Sequence, residues 1–122
     1  MTLDEFNTFC KDLPCSTHVV QWGNSDVWKV GDKVFAIGNI GKEGNPAFTF
    51  KTSEQNYYFL AERPGYRPAP YLASRGMKWI QQYNCTSEED EALAYYLTAS
   101  HKLVSLGLTK KKQKELGLNQ PM

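Results

Sequence analysis

Apolar residues at the start of the chain recur at helical spacing: Leu3, Phe6, Phe9, Cys10 and Leu13. Thr2 with Glu5 three residues on makes a capping box. Pro14 ends this helix, because proline cannot extend the hydrogen-bond ladder and restricts the residue before it. From Thr17 to Lys51 the pattern changes to short alternating stretches cut by turn residues. Thr17–Trp22 is rich in β-branched side chains and is broken by Gly23-Asn24-Ser25. Val27–Val30 and Lys33–Ile37 flank Gly31-Asp32, a two-residue loop that reads as a type II′ hairpin. That register sets Val30 against Lys33, Trp28 against Phe35 and Val27 against Ala36. Trp28, Val30, Phe35 and Ile37 then share the core face, with Val27, Lys29, Val34 and Ala36 on the other. A glycine-rich loop over 38–46 leads to Ala47–Lys51, where Phe48 and Phe50 share one face and Thr49 and Lys51 the other.

Ser53 caps a second helix with Tyr57, Tyr58, Leu60 and Ala61 on its apolar side, ending before Pro64-Gly65. Arg67-Pro68-Ala69-Pro70-Tyr71 reads as an extended connection and Met77–Tyr83 as a fifth strand. Ser87 precedes four acids, Glu88 to Glu91, placed where a helix dipole favours them. Leu93, Tyr96, Leu97, Ser100, Leu103 and Val104 continue that helix as a stripe, with Gly107 as its stop. Thr109 caps a short last helix, Lys110–Leu116, closed by Gly117. The order predicts an α+β domain: an antiparallel sheet of about five strands with helices packed on one face. The opposite face is left open, with Lys29, Thr49, Lys51 and Lys78 pointing to it. Residues 1–118 form the single domain and 119–122 a frayed tail.

Composition changes this picture little. The 122 residues carry 14 Lys+Arg against 13 Asp+Glu, so no strong uniform field surrounds the protein. No apolar run approaches the ~18–20 residues that cross a bilayer, and the first residues lack a signal peptide's basic and apolar regions. Cys10, Cys15 and Cys85 are an odd number without a C-x-x-C spacing, which predicts reduced thiols and a cytoplasmic setting.

Five segments, in order, resemble the MmcQ/YjbR family of small bacterial proteins. They are Trp28-Lys29-Val30-Gly31-Asp32-Lys33-Val34-Phe35, Phe48-Thr49-Phe50-Lys51-Thr52, Arg67-Pro68-Ala69-Pro70-Tyr71, Lys78-Trp79-Ile80 and Ser100-His101-Lys102-Leu103-Val104. The resemblance implies a frataxin-like (CyaY-like) fold and DNA binding through a double-wing arrangement. The chain departs from the family where Lys78 takes the place of a histidine before Trp79, so no role of that histidine carries over.

Candidate chemistry is sparse. Only His18 and His101 could serve as bases, one in a strand and the other near an exposed helix end, and no nucleophile motif accompanies either. The expectation is therefore no enzyme and no cofactor. Asp4, Glu5 and Asp12 are too few for a metal ridge, and dipole compensation accounts for Glu88 to Glu91, so no metal site is assigned. Charge is more informative: residues 51–86 hold five basic side chains against two acids. Arg67 and Arg75 suit bidentate phosphate contact, and Tyr66, Tyr71 and Trp79 interleave with the cations as stacking candidates. With Lys29, Lys42 in the glycine-rich loop, Lys51 and Lys78, these arginines form the candidate DNA-contacting set. Lys110, Lys111, Lys112 and Lys114 make a second basic cluster. The expected partner is DNA, bound weakly and with little sequence preference by a monomer. The alternative is a protein- or ligand-interaction module using the same open face.

Overall fold

The computed structural model describes residues 1–72 and 76–121. Its strands are β1 (Ser16–Gln21), β2 (Ser25–Val30), β3 (Lys33–Ile40), β4 (Pro46–Lys51), β5 (Tyr66–Pro68) and β6 (Trp79–Gln82). They form one antiparallel sheet in the order β1-β2-β3-β4-β6-β5. The sixth strand is the three-residue β5, which the sequence presents as a connection. Pro68 is tolerated there because β5 is the sheet edge, where a missing N–H costs no ladder bond.

Helices α1 (Leu3–Lys11), α2 (Glu54–Ala61), α3 (Asp90–Leu106) and α4 (Lys110–Leu116) complete the chain. The capping box forms as expected: Thr2 Oγ1 accepts from the Glu5 N–H, and the Thr2 N–H donates to the Glu5 carboxylate. Ser53 and Thr109 cap α2 and α4 in the same way, each accepting from the N–H three residues on. α3 begins later than the acids suggest, because Ser87–Glu89 is a 3₁₀ turn. Gly117 closes α4 in the left-handed region, whereas Gly107 ends α3 in a right-handed conformation.

Phe6 and Cys10 of α1, Leu60 of α2 and Leu93 and Leu97 of α3 pack on Trp28, Phe35, Phe48, Phe50 and Ile80 of the sheet. The helices thus share one face, as the alternation predicts. Gly38 makes room for α1: a Cβ there would lie 2.5 Å from the Phe6 ring, which packs 5.0 Å from Phe48. The Trp28 indole N–H donates to Asn7 at 2.9 Å, tying α1 to β2.

The β2–β3 register departs from the alternation. Val30 faces Lys33 as expected, but Trp28 faces Ala36 and Val27 faces Ile37, because a bulge intervenes between Trp28 and Lys29. Phe35 is the extra residue, so Phe35 and Ala36 are both buried in the core and Ile37 turns to the opposite face. The turn is also type I′ rather than II′. Gly31 and Asp32 both have positive φ, 56° and 68°, and this backbone matches the twist of the flanking strands.

Two further expectations change. His101 is buried rather than exposed: its ring N–H donates to the Pro14 carbonyl at 2.7 Å and its edge meets Phe35 at 5.1 Å. Tyr58 is 58% exposed and so lies off the apolar side of α2. Asn119, the first residue of the expected tail, donates its side-chain amide to Ser105 at 3.1 Å and Gln113 at 3.0 Å.

Candidate functional site

A cavity of about 1250 Å³ lies mainly on the face away from the helices and reaches Val104 and Gly107 at the end of α3. Its floor follows from register alone. Ile37 pairs with Thr49, Thr49 with Gln81, and Gln81 with Arg67, so one row crosses β3, β4, β6 and β5. All four residues line the cavity. A second pair, Lys51 and Trp79, continues the lining one step along the strands. Pro70, Tyr71, Leu72 and Met77, between β5 and β6, form one wall. Trp22, Ile40, Gly41 and Lys42 contribute another.

Polar groups on this floor are joined to one another. The Arg67 Nε–H donates to Gln81 Oε1 at 2.8 Å, and the Gln81 amide donates to Thr49 Oγ1 at 3.5 Å. The Arg67 guanidinium lies 4.0 Å from the Tyr83 ring centroid. Its two terminal nitrogens hold Glu43 in a fork, Nη1 to Oε2 at 2.6 Å and Nη2 to Oε1 at 3.1 Å. This hydrogen bonding holds the Glu43 carboxyl below its usual range. Glu43 belongs to the glycine-rich loop between β3 and β4, which is closed by the Gly41 N–H donating to the Asn45 carbonyl at 2.8 Å.

The lining is apolar with a cationic margin. Lys33, Lys42, Lys51 and Arg67 belong to it, and no aspartate or glutamate does among the described residues. Two buried side-chain atoms, Trp79 Nε1 and Asn39 Oδ1, find no hydrogen-bond partner, and both residues line this cavity. Buried polar groups in folded proteins are nearly always paired, so two orphans in one lining mark it out.

The six candidate cations do not form one surface. Lys42, Lys51 and Arg67 line the cavity, and Arg67 is already occupied by Glu43. Lys29 stands on β2 outside the lining. Lys78 is on the helix side, corrected from the open face: its ammonium lies 4.9 Å from the Tyr57 ring and 5.1 Å from the Tyr58 ring. The cause is extended alternation from Lys78 into β6, which sends Lys78 and the core residue Ile80 one way and Trp79 and Gln81 the other. Arg75 lies outside the described residues. Of the stacking candidates, Tyr66 and Trp79 are buried and only Tyr71 is exposed. Tyr66 donates to Glu89 at 3.0 Å and accepts from Gln82 at 3.1 Å, while Arg63 donates to Glu89 alongside it.

Sequence reasoning missed Lys33, Ile37, Glu43 and Gln81 as site residues. Ile37 was misplaced by the bulge, and Gln81 was legible only as an alternating strand position. No local signal ties Glu43 to Arg67, because the pair forms across loop and strand. Of the two histidines, His18 donates to Asp26 at 2.8 Å beside Trp28, and His101 donates to the Pro14 carbonyl. Among the described residues no three His, Cys, Asp or Glu side chains cluster as metal ligands, and no helix is long and apolar enough to cross a membrane.

Fold and site together define a small α+β domain with its helices on one face of an antiparallel sheet and a concave, cation-edged cavity on the other. The chain belongs to the YjbR family, whose sequence model matches residues 11–103. It is similar in structure to the Deinococcus radiodurans protein DR2400, whose domain is described as DUF419. That match has a TM-score of 0.82 at 24% identity and covers 99% of this chain and 91% of that one. A protein from Pseudomonas syringae is similar at a TM-score of 0.61 and 17% identity, covering 83% of this chain and 99% of that one. Curated proteins give no match.

Proposed function

We propose that this protein is a non-catalytic binding module whose ligand occupies the concave face of the sheet. The observation that carries this reading is the cavity: about 1250 Å³, lined by Trp22, Ile37, Ile40, Met77 and Trp79, with a few convergent polar groups on its floor. Small-molecule sites have this make-up, an apolar lining with a small number of placed polar side chains. A neutral solvatochromic dye such as Nile red tests it. Its fluorescence should rise with the wild-type protein and not with Ile37→Glu, which puts a charge on a half-buried position of the floor. Val20→Glu on the exposed edge strand should behave as wild type. Equal enhancement by all three proteins would remove the cavity from consideration.

DNA binding of the kind associated with the family's double-wing description is the second reading. It is favoured by Lys33, Lys42 and Lys51 in a cavity lining that holds no acid among the described residues. Against its reach, Arg67 is engaged by Glu43 and Lys78 faces α2. The helices gathered on one side of an antiparallel sheet are what supports the frataxin-like reading of the fold.

A further inference from the structure

We propose that the cavity takes an amphipathic carboxylate, and that its head group displaces Glu43 from Arg67. This rests on the binding-module reading above and names the ligand's chemistry. Arg67 is built as a receptor: Gln81, 93% buried, fixes its Nε, the Tyr83 ring lies 4.0 Å from the guanidinium, and the remaining two nitrogens form a fork. Such a fork matches the two oxygens of a carboxylate. Glu43 fills it from the protein's own loop, whose Gly44 has a φ of 86° and whose Glu43 is exposed. The rest of the lining asks for the same ligand class. Lys42 and Lys51 share the lining with no acid among the described residues, and the apolar surfaces of Ile37 and Trp79 call for a hydrocarbon body rather than a free inorganic ion.

Glu43 then acts as an internal competitor. A ligand binds only the fraction of molecules in which Arg67 is released, so its apparent affinity is reduced by that fraction. An exposed ion pair is weak, so the reduction is no more than about fivefold. Removing Glu43 therefore tightens binding, the reverse of what a loop strut would do.

The experiment is displacement of Nile red from the full chain by decanoate and by decan-1-ol, with thermal midpoints recorded for each variant. Decanoate should compete about tenfold or more better than the alcohol, because the charge-assisted fork is available only to the acid. Glu43→Ala should strengthen decanoate by about two- to fivefold and leave the alcohol unchanged. Arg67→Lys, which keeps the charge and loses the fork, should remove most of the preference for the acid. Decanoate no better than decan-1-ol, or weaker decanoate binding in a folded Glu43→Ala, overturns the assignment. With Nile red still bound by the wild type, either result leaves the cavity reading standing. Loss of dye binding by the wild type itself would defeat both.

Discussion

Ser100 of α3 donates its hydroxyl to the Phe35 carbonyl at 2.6 Å, and the same oxygen accepts from the Lys51 N–H at 2.8 Å. Phe35 is the residue that the β-bulge leaves without a partner on β2, and Lys51 is the last residue of β4. A fully buried helix hydroxyl thus bridges two strands beside the irregularity and fixes α3 against the sheet. Ser100→Ala leaves one backbone acceptor and one backbone donor unsatisfied, each worth ~1–3 kcal/mol when buried. Urea unfolding should show a loss of about 2–4 kcal/mol as a lower midpoint at unchanged slope. A midpoint within error of wild type would mean that water replaces the hydroxyl and that the bridge is not needed.

That bridge shows where sequence reasoning stops. The core was legible, because Trp28, Phe35, Phe48, Phe50 and Leu97 occupy periodic positions and are buried together. The bulge was not, since one inserted residue reverses every later side chain of a strand without altering its composition. It moved Ile37 from the expected core to the cavity floor. His101 was legible in principle: it falls four residues after Leu97 and three before Val104, on the buried stripe of α3. The cavity floor was beyond reach, because Ile37, Thr49, Gln81 and Arg67 meet only through the register of four strands. Glu89 shows the same gap. It reads as one of four dipole-compensating acids, yet it is the shared acceptor of Arg63 and Tyr66.

Stability should fall at both ends of the pH scale, for different groups. Hydrogen bonds from Arg67 and Arg63 depress the Glu43 and Glu89 carboxyls below their ordinary values. A depressed carboxyl contributes stability above its unfolded pKa, about 4.3, and loses it as pH falls through the folded value. Burial raises the Tyr66 phenol instead, so its contribution is present below an unfolded pKa of about 10 and is lost as pH climbs past it. Thermal midpoints from pH 2 to 11 should trace a dome. Arg63→Gln with Arg67→Gln should flatten its acid side and leave the alkaline side in place; an unchanged acid side would show that other carboxyls set it.

The three thiols should react in a fixed order. Cys15 is exposed, with its sulfur 3.2 Å from the Leu116 carbonyl. Cys85 is partly buried, and burial pushes its thiol up. Cys10 is fully buried between α1 and the sheet, with its thiol pushed up to about 12 by burial. Because the thiolate is the reacting species, a chromogenic disulfide reagent at neutral pH should modify Cys15 first, Cys85 slowly and Cys10 only after urea is added. Modification of Cys10 at the rate of Cys15 in native protein would mean that α1 opens readily from the sheet.

The DNA reading makes a prediction separate from the ligand one. Lys33, Lys42 and Lys51 are the lysines on the cavity face, and Arg67 is engaged by Glu43. About three phosphates could then be neutralised, so the log-affinity against log-salt slope should be no steeper than about −2.7. A net charge of +1 adds little long-range attraction, and phosphate contacts carry no sequence information, so binding should be weak and indifferent to sequence. Fluorescence anisotropy with a labelled duplex at ~50 mM salt measures this directly. Replacing the three lysines by alanine should flatten the slope by up to about 2.7 units, while Arg67→Ala should change it by less than one. The pair Lys110→Ala and Lys111→Ala is the control, since both are on α4 and outside the lining. If that pair abolishes binding and the cavity lysines do not matter, DNA is held by the basic last helix and not by the concave face. If the wild type shows no anisotropy change, the DNA reading fails altogether.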